Sequence, residues 1–132
     1  MSDKIPHKAL VVVADGSRAR FFRNTGHDFK VSLIAEGDLQ PVDLENDGPS
    51  GKRPQETTQQ ETDEATFVKQ LAKDLYRRAH QVDYAALVII ADPQSLGQLR
   101  PLLHKEVQSR VVAEHAKTLT KASIADIQKA LS

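Results

Sequence analysis

The sequence predicts a single α/β domain built on a mixed five-stranded sheet, with elements in the order β-β-β-α-β-α-β-α. Short apolar or alternating runs separated by turn residues fill the first third of the chain, which is typical of antiparallel strands. Helical patterns alternate with apolar runs in the second half, which indicates parallel strands joined by helical crossovers. The length of 132 residues suits one domain.

Three runs near the N-terminus predict an antiparallel meander. Residues 9–14 are continuously apolar and read as a buried strand. Residues 18–23 follow directly after Asp-Gly-Ser, which is good hairpin-turn chemistry, and form the second strand. Residues 29–35 alternate apolar and polar positions, which predicts a third strand.

Residues 37–61 read as a flexible acidic loop. The segment is rich in glycine and proline and has few large apolar residues. Residues 36–64 hold nine Asp/Glu against only Lys52 and Arg53, so the rest of the chain is mildly basic although the net charge is zero. Loops of about 25 residues inside a domain are usually functional or mobile. We expect either a plain flexible loop or a segment that orders on a partner.

The clearest helix is predicted over residues 62–80. Apolar residues recur at helical spacing from Val68 to Ala79, with lysines and arginines between them. Thr58 and Glu61 have the spacing of a capping box at the start of this helix.

The remaining elements alternate strand and helix. Residues 85–91 are apolar throughout, which predicts a central parallel strand covered on both faces. Pro93 suits the first position of a helix, and Pro101 is expected to break that helix into two pieces. Residues 110–115 read as the last strand.

A short helix is predicted at the C-terminal end of the chain. Its apolar positions include Ile124, Ile127 and Leu131, and it is entered through Thr120 or Ser123.

Composition excludes several classes of protein. Without cysteine, disulfides and thiolate metal sites are impossible. The N-terminus has no apolar signal-peptide region. The longest apolar run, residues 84–91, is far shorter than the roughly 20 residues of a membrane span. We therefore expect a cytoplasmic protein without a membrane partner.

Asp15 and Asp92 form a candidate site at the strand ends. Each follows an apolar strand, and sites gather where parallel strands end. Two carboxylates there could bind a divalent metal and support hydrolysis. The simpler alternative is that Asp15 makes an Asx turn and Asp92 caps the next helix. The chain contains no recognised catalytic motif or metal-ligand spacing, and we expect no cofactor.

Basic residues supply the candidate phosphate contacts. Arg18 and Arg20 share one face if both lie on a strand, where they could hold phosphate or pair with nearby carboxylates. Lys52 and Arg53 form the basic pair of the acidic loop, beside glycines that would let an RNA backbone approach.

Several stretches, in order and spacing, resemble the bacterial host-attachment protein family. They are Ala-Asp-Gly-Ser-Arg-Ala-Arg at 14–20, Phe67 with Leu71 and Leu75, the segment 87–100, and Lys-Thr-Leu-Thr at 117–120 before Ile124 and Ile127. The resemblance covers nearly the whole chain except the loop. It implies a role in attachment to host cells, which for a chain without a secretion signal is expected to be indirect and intracellular.

That family is also similar to the middle domain of archaeal and eukaryotic peptide-chain release factors. The similarity implies a three-layer RNase H-like domain, in agreement with the element order. In release factors a Gly-Gly-Gln loop drives peptidyl-tRNA hydrolysis, and the corresponding loop here contains Gly48, Gly51 and Gln55 but no Gly-Gly-Gln. Hydrolysis is therefore not carried over, whereas RNA or ribosome binding is.

Three functions follow as hypotheses. The first is a non-enzymatic RNA- or ribosome-associated binding domain that uses Arg18, Arg20, Lys52 and Arg53. The second is a metal-dependent hydrolase or nuclease that uses Asp15 and Asp92. The third is a protein-interaction module that docks through its acidic loop. The oligomeric state is left open, since an exposed sheet edge is compatible with a homodimer.

Overall fold

The computed structural model describes residues 5–27, 30–40 and 59–131, without the side chains of residues 59–65. The strands of this part are β1 (Leu10–Ala14), β2 (Ala19–Asn24), β3 (Leu33–Leu39), β4 (Leu87–Ala91) and β5 (Val111–Ala116). The helices are α1 (Gln59–His80), α2 (Pro93–Leu99), α3 (Lys105–Gln108) and α4 (Ile124–Leu131), with a 3₁₀ turn (Arg100–Leu102) after α2.

One mixed sheet carries all five strands in the order β3-β2-β1-β4-β5. β2 is antiparallel to β1 and to β3, whereas β1, β4 and β5 are mutually parallel. Only β2 runs against the others, which is the RNase H-like arrangement. The predicted fold class is therefore confirmed.

The central strands β1 and β4 are buried along their whole length. Side chains alternate between the faces of a strand, so Leu10 and Val12 pack in the cluster that contains α1, α2 and α3 residues. Val11 and Val13 point to the other face and pack in the cluster that contains Ile127 of α4. A sheet covered on both faces needs apolar residues at every position, which explains the two continuous apolar runs.

The third strand lies further along the chain than predicted. β3 begins at Leu33 rather than at residue 29, and it continues to Leu39. The buried Asn24 side chain accepts hydrogen bonds from the amides of Gly26 and Ser32, and residues 30–32 before β3 are not in a strand. Residue 29, where the predicted strand begins, lies outside the described residues. β3 is an edge strand with mostly exposed side chains, so hydrogen bonding to β2 defines it and apolar alternation does not.

The loop predicted over 37–61 is shorter than expected at both ends. Residues 37–39 belong to β3, and α1 already begins at Gln59, three residues before the predicted start. Gly37, with φ of 128°, lies next to an irregularity in the pairing of β3 with β2. Residues 41–58, and with them Thr58 of the predicted capping box, lie outside the described residues, so their flexibility stays a prediction.

The helices after β4 follow the predicted breaks. Pro93 occupies the start of α2, and Pro101 lies in the 3₁₀ turn that separates α2 from α3. Ser123 caps the last helix, because its hydroxyl accepts a hydrogen bond from the amide of Asp126. Thr120, the other residue considered for this entry, has a different contact, with Asp15.

Candidate functional site

The parallel pairing of β1 with β4 brings the two candidate aspartates to one cavity. Ala14 pairs with Ala91 at the carboxyl ends of these strands, so the residues that follow, Asp15 and Asp92, leave the sheet side by side. Both line a cavity of about 340 Å³, together with Ser17, Ser95 and Thr118 among others. We call this region the strand-end cavity.

Asp15 is held by four hydrogen bonds. Its Oδ1 accepts from the amide of Ser17 (2.7 Å), from the hydroxyl of Ser17 (3.0 Å) and from the amide of Arg18 (3.0 Å). Its Oδ2 accepts from the hydroxyl of Thr120 at 2.8 Å. Burial alone raises the pKa of Asp15, but these hydrogen bonds to the ionised form outweigh it, so the net pKa is lowered. The carboxylate therefore closes the β1–β2 turn and anchors the segment before α4.

Arg20 ties the same segment to β2. Its Nη1 donates to the carbonyl oxygens of Thr120 (3.1 Å) and Ala122 (2.8 Å). The guanidinium also lies over the ring of Phe22, 5.0 Å from the centroid. Arg18 precedes β2 instead of lying on it, and its Nη2 is 3.8 Å from Asp38 Oδ2. Asp38 is the cross-strand neighbour of Arg20, so the two arginines lie near each other although only Arg20 is on the strand, and their phosphate binding stays a prediction.

Asp92 caps α2. Its backbone is extended, with φ of −62° and ψ of 156°, and its Oδ2 accepts from the amide of Ser95 at 3.1 Å. Its Oδ1 is a buried atom without a hydrogen-bond partner among the described residues. Those residues contain no group of three or more His, Asp or Glu side chains that could hold a metal ion.

Every arginine in the described part of the chain has a guanidinium contact with a carboxylate or a backbone carbonyl. Arg18, Arg23, Arg77, Arg78 and Arg100 contact carboxylates, and Arg20 and Arg110 donate to backbone carbonyls. Burial alone lowers the pKa of Arg23, but hydrogen bonds and charge attraction from Glu36 and Asp83 raise it overall. Lys52 and Arg53 lie outside the described residues, so their role stays a prediction.

A second cavity lies on the outer side of α1 and has a different character. Its volume is about 350 Å³, and it is lined by Lys69, Ala72, Lys73 and Tyr76 of α1 and by Leu102 and His104. We call it the α1 groove. Tyr76 is 37% exposed and Leu102 is 41% exposed, which is unusual for large apolar side chains in this protein. No carboxylate is among these lining residues.

Stacked rings form one wall of the α1 groove. The Tyr76 and His104 rings have centroids 4.2 Å apart and planes inclined by 30°. Nδ1 of His104 accepts a hydrogen bond from the amide of Glu106 at 3.1 Å, which orients the ring as the cap of α3. The rings are thus held in place before any ligand arrives.

Sequence interpretation missed the α1 groove because Tyr76 was assigned to the apolar face of α1. One signal was present, since Lys69 and Lys73 precede Tyr76 by seven and three residues and share its side of the helix. Leu102 and His104 gave no local signal, because only the packing of the segment after α2 brings them to α1. None of the described helices is long and apolar enough to cross a membrane.

Comparisons with known proteins found a distantly similar solved structure and a matching family. Among solved structures, the chain is similar to the type II variant of the Aquifex aeolicus Ppx/GppA phosphatase, with a TM-score of 0.41 and 12% identity over 83% of this chain. The match covers 35% of the phosphatase chain. No curated protein matches this chain significantly.

The family comparison is far more extensive. The model of bacterial archaeo-eukaryotic release factor family 12 matches residues 8–131, which includes every strand and helix described above. The release-factor similarity expected from the sequence is confirmed at this level, whereas host attachment stays an expectation. Because this family model matches nearly the whole chain, residues 8–131, the chain belongs to bacterial archaeo-eukaryotic release factor family 12.

Proposed function

We propose that this chain is an intracellular RNA-binding domain, without catalytic activity of its own, that contacts RNA mainly through the α1 groove. The observation that carries the proposal is the pair Lys69 and Lys73, which are exposed and form no ion pair with a described residue. They lie beside exposed Tyr76 in a groove whose described lining residues include no carboxylate. Cations next to an aromatic surface suit a polyanion that carries bases.

Helix energetics support this reading of the lysines. Like charges four residues apart on a helix repel and cost a few tenths of a kcal/mol. In the next turn of α1 the charges of Arg77 and Arg78 are offset by Asp74, which contacts both guanidinium groups. Lys69 and Lys73 have no ion pair with a described residue, so an anionic partner would relieve their repulsion.

The residues proposed from the sequence as phosphate contacts are not equally available to a ligand. Arg20 already uses Nη1 for two carbonyl groups, which fixes its guanidinium and leaves fewer donors for a phosphate. Arg18 is more available, since its side chain is 38% exposed and its contact with Asp38 is long. We therefore keep Arg18, Lys52 and Arg53 as secondary proposed contacts and assign the main contact to the two lysines.

Salt-dependent binding tests the proposal. The variant Lys69→Gln/Lys73→Gln and the wild type are titrated against a labelled RNA at several salt concentrations from about 50 to 200 mM. Loss of two phosphate contacts should lower the slope of log affinity against log salt by about 1.4. Sedimentation of a lysate at low and high salt then shows whether the wild type migrates with ribosomes.

A matched control separates local contact from net charge. Lys117→Gln/Lys121→Gln removes the same charge from exposed positions outside the α1 groove. It should keep most of the wild-type slope. Equal slopes for all three proteins, or no RNA binding by the wild type, would show that the proposal is wrong.

Metal-dependent hydrolysis is a second candidate function. Asp15 and Asp92 line one cavity, and Asp92 Oδ1 has no partner among the described residues. Against this candidate, Asp15 already accepts four hydrogen bonds. A thermal shift with Mg²⁺ or Mn²⁺ that disappears in Asp92→Asn would support it, and identical shifts in both proteins would remove it.

The protein-interaction hypothesis concerns residues 41–58, outside the described part of the chain. Replacing them with a Gly/Ser linker of equal length leaves β3 and α1 intact. Loss of a partner that the wild type captures would support docking through this segment. An unchanged set of partners would contradict it.

A further inference from the structure

We propose that the α1 groove holds one unstacked nucleobase, so that the domain prefers single-stranded RNA to duplex RNA. This inference rests on the proposed RNA binding and specifies the form of RNA that is bound. It depends on three features of the groove: an exposed ring that is already supported, an apolar opposite side, and cations on one rim.

The support of Tyr76 is the first feature. Its ring packs against His104 at 4.2 Å between centroids with the planes tilted by 30°, and a second histidine ring, His80, has its centroid 6.1 Å away. The hydrogen bond from the amide of Glu106 fixes the His104 ring in turn. A ring that is held in one orientation loses little freedom when a base stacks on it, which favours binding.

The shape and lining of the groove are the second feature. Leu102, 41% exposed, lines the same space as Tyr76 and Ala72. The volume of about 350 Å³ falls in the range of pockets that take a small organic group. A planar base offers apolar faces to such walls. In a duplex those faces are already stacked on neighbouring bases, so only a single strand can present one.

The rim supplies the third feature. Lys69 and Lys73 lie one helical turn apart, with Cβ atoms separated by about 5–6 Å. Flexible lysine side chains at that spacing can reach consecutive phosphates on either side of an inserted base. Among the described residues, no carboxylate or amide side chain lines the groove to read base edges, so we expect little preference among bases.

Two ligands and two variants test the inference. Wild type, Tyr76→Phe and Tyr76→Ala are titrated against a labelled single strand of about twelve nucleotides and against a duplex of the same length. Tyr76→Ala should lose at least about fivefold in affinity for the single strand, because a stacked base is lost. Tyr76→Phe should bind like the wild type. Duplex affinity should be weaker and unaffected by either substitution.

Crosslinking gives a readout that does not depend on the stability of a variant. A single strand containing 5-bromouridine is irradiated with the wild-type protein, and the modified peptide is identified by mass spectrometry. The adduct is expected on Tyr76 or His104. Adducts confined to other regions would contradict the inference even if every variant folds.

The outcomes separate this inference from the function on which it rests. Equal binding of single strand and duplex, with Lys69→Gln/Lys73→Gln still weakening both, would overturn base insertion and leave RNA binding standing. No binding of any RNA would remove both. Adenosine monophosphate should bind far more weakly than the strand, and equal affinity for both would identify a mononucleotide site instead and overturn the inference.

Discussion

The strand-end cavity and the α1 groove have nearly the same volume, about 340 and 350 Å³. They differ in whether their polar side chains already bond to other parts of the protein. At the strand ends, Asp15 forms four hydrogen bonds, and Arg20 donates to the carbonyls of Thr120 and Ala122. In the α1 groove, Lys69 and Lys73 have no ion pair with a described residue. Polar groups that complete a fold are poorly available to a ligand, whereas groups that the fold leaves unused are available.

Chain separation explains the difference. Asp15 and Thr120 are 105 residues apart, so their hydrogen bond exists only when the sheet has formed and α4 has docked. Lys69, Lys73 and Tyr76 are neighbours on one helix and do not need each other for folding. Substitutions at the strand ends should therefore lower the stability of the protein, and substitutions in the groove should change binding.

Asp15→Ala is expected to have the largest effect, a loss of about 2–3 kcal/mol in the free energy of unfolding. The substitution removes four hydrogen bonds to a charged acceptor and leaves the hydroxyl of Thr120, which is 2% exposed, without its acceptor. Urea denaturation measures the loss. Asp38→Ala is the control, because its contact with Arg18 is a surface ion pair worth about 0–1 kcal/mol. Equal losses for the two variants would contradict the structural role of Asp15.

The contribution of the Asp15 charge should depend on pH. Burial raises the pKa of Asp15, but its hydrogen bonds outweigh burial and hold the pKa in the folded state below the ordinary value of 3.8. A lowered folded pKa stabilises the protein above the unfolded pKa, and this stability is lost as the pH falls through the folded value. The gap in unfolding free energy between wild type and Asp15→Asn should therefore be large at pH 7 and shrink below about pH 4. A constant gap would show that charge is not involved.

Asp92→Ala should have a smaller effect, about 1 kcal/mol, since one helix cap is lost. The side chain has a single described hydrogen bond, from the amide of Ser95, and its other oxygen has no partner among the described residues. Asp92→Asn should retain most of the cap, because asparagine serves at this position about as well as aspartate. Thermal denaturation distinguishes the two variants. Equal destabilisation by both would mean that the charge, rather than the cap, stabilises α2.

Lys69→Glu should have the smallest effect on stability, and the sign should be reversed. An acidic residue four positions before Lys73 replaces repulsion with attraction in the favourable orientation, which should raise the free energy of unfolding by about 0.3–0.5 kcal/mol. RNA affinity should nevertheless fall at least tenfold, because a cation on the rim of the groove becomes an anion. Thermal denaturation and RNA titration on the same samples test both parts. Lower stability together with unchanged RNA affinity would show that Lys69 serves folding and not binding, which contradicts the role given to the α1 groove.

The hydrophobic pattern of the sequence predicted those strands and helices whose positions are set by burial of apolar side chains. The runs 9–14 and 85–91 became β1 and β4 because both faces of these strands are covered, and the periodicity from Val68 to Ala79 became α1. The observed position of β3 differs from the predicted one because it depends on hydrogen bonds to β2 and on the buried Asn24 side chain. Neither interaction leaves a hydrophobic pattern in the sequence.

The candidate site was only partly predictable. The convergence of Asp15 and Asp92 follows from parallel strands that end together, and the structure brings both residues to one cavity. The sequence could not predict which basic side chains are available to a ligand. An arginine that donates to a carbonyl and an arginine that does not are the same letter in a sequence. Arg20 is the example, since its acceptors lie about a hundred residues away.

The sequence by itself determined the α/β class, the buried strands and the main helix, because hydrophobic period and turn chemistry are local properties. Only the tertiary structure decided which charged groups are already used and which remain for a ligand. Hydrogen bonds such as that between Asp15 and Thr120, and stacking such as that of Tyr76 on His104, join segments far apart in the chain. Their formation depends on how the helices pack on the sheet, and no local pattern encodes that packing.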